Sequence, residues 1–257
     1  MKQTYAVITG ASSGIGAEFA RRLAKEGYRL FLVARRKERL LECADMLAET
    51  ECEVFAADLS REEECRRLMQ ALADKKIGVF INNAGFGDCG SFLETEVEKE
   101  LQMIDVNVRA VHLLTKLVLQ KMQAQGGGYL LNVASSAGLI PAGPYMATYY
   151  ATKAYVASLT RAVAQELKEQ GSKVYLGALC PGPVDTEFNN VANVEFALPG
   201  ISAERCVDCA IEGMKRRKTL IVPTATMQIS TSLGRFLPQS VYIRLAGHQQ
   251  KKKLEAQ

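Results

Sequence analysis

A chain of 257 residues, 48% hydrophobic and 23% charged, is long enough to bury a substantial core and fits one α/β domain over residues 1–257. Its 32 basic and 28 acidic residues give a net charge of only +4, a mixed surface that excludes the concentrated basic field needed to hold nucleic acid. Seven cysteines, odd in number and irregularly spaced, are expected as reduced thiols of a cytoplasmic protein. Cys206 and Cys209 form a C-x-x-C pair inside a helical stretch, with no second pair and only His112 and His248 in the chain, so no metal site is expected. No secretory leader is expected ahead of the first strand. No apolar run approaches the roughly 18 residues of a membrane span, which leaves peripheral membrane contact at most.

Short β-rich apolar runs alternate with longer helical patterns, which predicts a doubly wound α/β fold: a parallel sheet of about seven strands with helices on both faces. The expected strands cover residues 4–9, 29–34, 53–57, 79–82, 129–134, 173–180 and 220–223. Helices are expected over 15–26, 36–49, 61–74, 96–124, 148–170 and 202–217. Ligands of such folds bind beyond the carboxyl ends of the strands, so each strand-to-helix loop is a candidate site.

The first such loop is Thr9-Gly10-Ala11-Ser12-Ser13-Gly14-Ile15-Gly16. Its glycines permit a tight turn, and the free N–H groups of the helix that follows attract a pyrophosphate. Alone, the turn also reads as an ordinary helix start. The second strand ends at Ala34 and continues as Arg35-Arg36, without the acid that would accept hydrogen bonds from both ribose hydroxyls of NAD. A guanidinium there suits an adenosine 2′-phosphate, so NADP(H) is expected, with Arg35 as the main contact. Arg36, Lys37 and Arg39 read as a solvated basic end of the next helix.

Tyr149 and Lys153 stand four residues apart in a helical stretch and therefore project from one face. A free phenol, with a pKa of about 10, is a poor base at neutrality, but a nearby ammonium favours its ionised form. The pair can give a proton to a carbonyl oxygen in reduction or take one from an alcohol in oxidation.

The glycine turn, with three residues between its first two glycines, resembles that of the short-chain dehydrogenase/reductase superfamily. Asn82-Asn83-Ala84-Gly85 and Cys180-Pro181-Gly182-Pro183-Val184-Asp185-Thr186 each resemble a family signature at a strand end, and the likeness spans about Thr4 to Thr186. It implies a Rossmann fold and a catalytic tetrad of Asn107, Ser136, Tyr149 and Lys153. Ser136, thirteen residues before Tyr149, would orient the substrate oxygen, with its neighbour Ser135 as the alternative. Asn107 would hold a water that links Lys153 to solvent. The resemblance further implies cofactor contacts from Gly10, Ser12, Ser13, Gly14, Ile15 and Gly16, from Asp58 and Leu59, and from Asn83, Ala84 and Gly85. Tyr149, Lys153, Pro181, Gly182, Val184 and Thr186 complete that set.

Substrate shape is expected from a lid at about 185–200 and from a C-terminal extension at about 224–257, whose sequence resembles the branch of steroid and long-chain 3-oxoacyl reductases. The apolar residues from Leu233 to Leu245 suggest an apolar carbonyl or alcohol substrate, against the alternative of a small carbonyl or sugar. Leu113, Leu114, Leu117, Val118, Val156, Leu159 and Val163 exceed what one sheet face can cover. Relatives pair these helices across a twofold axis, so a homodimer or homotetramer is expected.

Overall fold

The strands in chain order are β1 (Tyr5–Thr9), β2 (Arg29–Ala34), β3 (Cys52–Ala56), β4 (Ile77–Asn82), β5 (Gly128–Val133), β6 (Val174–Leu179), β7 (Val184–Asp185), β8 (Ile201–Ser202) and β9 (Leu220–Ile221). The α-helices are α1 (Gly14–Lys25), α2 (Lys37–Asp45), α3 (Glu62–Ala71), α4 (Val97–Ile104), α5 (Val111–Ala124), α6 (Ala147–Glu169), α7 (Ala203–Lys215), α8 (Ala225–Leu233) and α9 (Gln239–Glu255). The structure, a computed structural model, describes residues 3–187 and 200–255.

Seven strands join in one sheet of order β3-β2-β1-β4-β5-β6-β9, every pairing parallel. They are the seven read from the sequence, with limits shifted by at most two residues. Strands such as YAVIT are buried along their whole length because helices cover both faces of a parallel sheet. Alternate residues enter different cores. Ala6 and Ile8 meet Phe19, Leu23 and Ile211 on one face, while Tyr5 and Val7 meet Leu68, Leu72 and Leu114 on the other. The direction of winding reverses between β1 and β4, which opens a crevice at their carboxyl ends.

Three regions depart from expectation. The single helix expected over 96–124 is α4 and α5 joined through a π-helical segment, Asp105–Ala110. The wider i→i+5 turn leaves no mark on a hydrophobic pattern, so only its flanks were readable. The short strands β7 and β8 pair with each other at the two ends of the expected lid, and residues 188–199 of that lid lie outside the described residues. Of the seven residues expected to form an uncovered apolar face, Leu114, Val118 and Val156 are fully buried within this chain. Leu113, Leu117, Leu159 and Val163 are half-buried.

Candidate active site

A cleft of about 580 Å³ runs along the carboxyl edge of the sheet. The loops after β1 to β6 all contribute: Gly10 to Ile15, Ala34 to Arg36, Ala57 to Leu59, Asn83 to Phe86, Val133 to Ala137, and Pro181 to Glu187. Of the expected contacts, Gly10, Ser12, Ser13, Gly14, Ile15, Arg35, Asp58, Leu59, Asn83, Ala84, Gly85, Pro181, Gly182, Val184 and Thr186 all line it, as do Ser136, Tyr149 and Lys153. Gly16 and Asn107 stand behind the wall. A Cβ on Gly16 would lie 2.2 Å from the Gly10 carbonyl oxygen, so this glycine lets α1 back against the turn.

The turn is held from the next loop. Asn83 donates from Nδ2 to the carbonyls of Thr9 at 2.9 Å and Gly10 at 3.2 Å, and Thr9 Oγ1 accepts from the backbone N–H groups of Asn83 and Ala84, both at 2.9 Å. Gly10 adopts φ +65°, where a side chain would strain the backbone and strike Asn83. Asn83 thus works by shaping the turn.

Tyr149 and Lys153 project from the first turns of α6 into the cleft, with the Lys153 ammonium 5.8 Å from the Tyr149 ring centre. Lys153 Nζ donates to the Val133 carbonyl at 3.0 Å at the end of β5. The serine joined to Tyr149 is Ser135, whose side chain hydrogen-bonds the phenol. Spacing pointed to Ser136 with Ser135 as its alternative, and Ser136 lines the cleft as well. Ser135 ends the extended segment after β5, accepts from the Ala137 N–H at 3.1 Å and donates toward the Pro181 carbonyl at 3.4 Å. Ser136 begins the 3-10 turn that follows, where its N–H is tied to the Pro181 carbonyl at 2.8 Å. Adjacent residues at such a bend diverge, and counting back from Tyr149 does not register the loop between them.

Asn107 lies in the π-helical segment and is fully buried. Its Nδ2 donates to the Phe86 carbonyl at 2.8 Å and to Thr152 Oγ1 at 3.1 Å, while Oδ1 accepts from the Phe86 N–H at 3.1 Å. A Cβ on Gly85 would stand 2.8 Å from Asn107 Oδ1 and 3.3 Å from Lys153 Nζ, so the loop after β4, the π-helix and α6 converge there.

The profile of the short chain dehydrogenase family matches residues 4–195. The chain belongs to that family. Among its relatives, the very-long-chain 3-oxoacyl-CoA reductase of Rattus norvegicus is 30% identical over 249 residues, 93% of this chain and 77% of the relative. A short-chain dehydrogenase from Sphingobium yanoikuyae in complex with NADPH superposes with a TM-score of 0.81 at 33% identity, over 90% of this chain and 93% of that one. A family member from Burkholderia phymatum in complex with NAD gives 0.82 at 27% identity, over 91% and 94%.

As a short-chain dehydrogenase this chain is an oxidoreductase with a nicotinamide cofactor, and its cleft fits a dinucleotide. The cap residue of α1, Ser13, makes no side-chain hydrogen bond to the helix, and a helix start of this kind, with first-turn N–H groups beyond the intrahelical ladder, suits an anion. At the far end of the cleft, Arg36 approaches Ser12 Oγ at 3.5 Å and Glu187 at 3.4 Å, and Arg39 pairs with Glu187 at 2.5 Å. The sequence reading placed both arginines on a solvated helix end. In the fold, Arg36 lines the cleft beside Arg35, and Glu187, two residues beyond β7, reaches both Arg36 and Arg39. Asp58 Oδ1 accepts from Ser60 N–H at 3.1 Å and Oγ at 2.9 Å, so it also shapes the turn before α3.

Burial sets the protonation states. It pushes the Tyr149 phenol up to about 12, and the Ser135 hydrogen bond opposes only part of that rise. It pulls the Lys153 ammonium down to about 8. Desolvation therefore sets the direction of the phenol's shift, upward rather than the lowering expected from the Lys153 ammonium.

The Tyr149 side of the cleft, its substrate-side chamber, is lined by Phe86, Ile140, Met146 and Tyr150, which pack with Tyr149, and the cleft is also lined by Met227 and by Gln249 and Gln250 from α9. The tail does reach the site, but not through the residues expected. Leu233, Phe236, Leu237, Val241 and Leu245 are exposed, whereas α9 turns Ala246 and Gln250 inward, one helical turn apart.

Proposed function

We propose that this chain is an NADP(H)-dependent reductase of apolar ketones or aldehydes in which Tyr149 protonates the forming alkoxide. The observation that carries this is the buried Ser135–Tyr149 hydrogen bond one helical turn from Lys153. A phenol held near 12 stays protonated at physiological pH and is a loaded proton donor, which favours reduction. The nicotinamide, when bound, supplies the hydride. Ser135 orients the carbonyl oxygen and stabilises negative charge as it develops there. Lys153 holds the cofactor-side wall together through Val133 and, as an ammonium, draws Tyr149 toward ionisation after its proton has left. Asn107 positions the Phe86 loop against α6, a role played through its side chain; the water expected on it belongs to the same proposal.

NADP(H) is supported by Arg35 and Arg36 at the end of β2 and by the absence of a carboxylate at Ala34. The Sphingobium relative carries NADPH. An apolar substrate is supported by the chamber's lining and by the rat relative's name as a 3-oxoacyl-CoA reductase. The half-buried Leu113, Leu117, Leu159 and Val163, with exposed Tyr155, support pairing of two copies along α5 and α6. The test is NADPH oxidation against a panel of long-chain 3-oxoacyl thioesters, polycyclic ketones, sugars and small aldehydes. Turnover of the bulky apolar members is expected, and a preference for sugars or small aldehydes overturns the substrate class.

A further inference from the structure

Tyr150, next to the proton donor, faces a different partner. Its ring meets that of Tyr149 edge-on, with centres 6.4 Å apart, and its hydroxyl is bonded at 2.6 Å to the Gln250 amide, one hundred residues further along the chain. α9 reaches this point because Gly247 lies against Pro144, where a Cβ would already stand 3.0 Å away. Gln250 is 4% exposed in a chamber whose other walls are mainly apolar. One end of its amide bonds Tyr150. The other end, Oε1, is buried and has no hydrogen-bond partner among the described residues. Turning the amide over exchanges oxygen for nitrogen and still leaves one end without a partner.

A buried amide end left unpaired is costly, and at a ligand cleft a polar group on the ligand is the partner that would offset the cost. We infer that Gln250, braced by Tyr150, recognises a second polar group on the substrate, so that the preferred substrates are apolar ketones carrying a hydroxyl, which can donate or accept, away from the reacting carbonyl. This rests on the reductase reading, since it takes the carbonyl to lie at Tyr149. It explains why a buried polar side chain is retained where the C-terminal helix borders the chamber. A leucine there would fill similar space without an orphaned group. Tyr150 fixes where the amide lies, so substrates are sorted by where their hydroxyl lies as well as by whether they have one.

The probes are cyclohexanone with a phenyl group opposite the carbonyl, and the same ketone with a phenolic hydroxyl on the far end of that ring. Each is titrated calorimetrically into the full chain saturated with NADP⁺, in which no ketone can be reduced, so binding is read apart from turnover. The hydroxylated ketone is expected to bind wild type about tenfold more tightly, as one buried hydrogen bond allows. Gln250→Leu is expected to remove that preference and leave the plain ketone's affinity within about twofold, while Tyr150→Phe narrows it. Equal affinity of the two ketones for wild type, absence of binding included, overturns the inference, as does a preference that survives Gln250→Leu. Reduction of the plain ketone by NADPH in the same preparations scores the reductase reading separately.

Discussion

Gly138 packs against the backbone of Lys153 so closely that a Cβ on it would stand 2.3 Å from the Lys153 carbonyl oxygen. The 3-10 turn Ser136–Leu139 is thereby seated on α6, and Ser135 and Tyr149 are fixed on opposite sides of one contact. Gly138→Ala must push these two elements apart. We expect it to cost about 1–3 kcal/mol of stability and to lower kcat well beyond what that loss explains. Denaturant unfolding and steady-state kinetics on the same preparation check this. An unchanged kcat would show that the contact does not set the geometry of the site.

The two adjacent serines separate the structural assignment from the one based on spacing. Ser135→Ala removes the hydroxyl bonded to Tyr149 and is expected to lower kcat by about 10²–10³. Ser136→Ala leaves the backbone bond to Pro181 in place and is expected to stay within about threefold of wild type. The reverse order of effects would restore Ser136.

The arginine pair at the end of β2 predicts the cofactor result. Arg35→Ala is expected to weaken NADPH about tenfold and leave NADH nearly unchanged, because only the 2′-phosphate loses a charge partner. Glu187→Gln frees Arg36 and Arg39 from their shared carboxylate and is expected to tighten NADPH. Fluorescence titration of the reduced cofactors measures both. Equal affinity of wild type for NADPH and NADH would remove the assignment.

Much of this was legible in the sequence. Seven apolar runs alternating with six helical patterns are enough to give a doubly wound parallel sheet, though not its strand order, and Gly10, Tyr149 and Lys153 are marked by chemistry that few other residues at those spacings supply. What escaped depends on backbone direction. Ser135 and Ser136 differ only in which way an extended residue points before a 3-10 turn, and a count of intervening residues cannot register that. Arg36 and Glu187 meet across 151 positions, and Tyr150 and Gln250 across 100, so no local pattern announces either pair. The π-helical turn around Asn107 is invisible because one widened turn leaves no mark on the apolar pattern.

Burial of Lys153 predicts a pH dependence of stability in the cofactor-free protein. Its folded value of about 8 lies below the ordinary 10.5, so between these pH values the unfolded chain holds more protons than the native one. Stability contributed by this site therefore rises with pH across that window and is lost as pH falls toward 8. Relative to Lys153→Met, wild type is expected to gain on the order of 3 kcal/mol between those limits. Urea unfolding of both proteins at several pH values tests it, and a difference that does not change with pH contradicts the depressed value that burial gives this ammonium.

The most direct test of the central claim compares Tyr149→Phe with wild type on one verified ketone, with NADPH affinity and thermal unfolding measured alongside. The substitution deletes the proton donor and little volume, so kcat is expected to fall about a thousandfold while cofactor affinity and the folded state stay near wild type. Turnover within tenfold of wild type by a folded, NADPH-binding Tyr149→Phe protein would contradict the account, because the proton would then be coming from somewhere else.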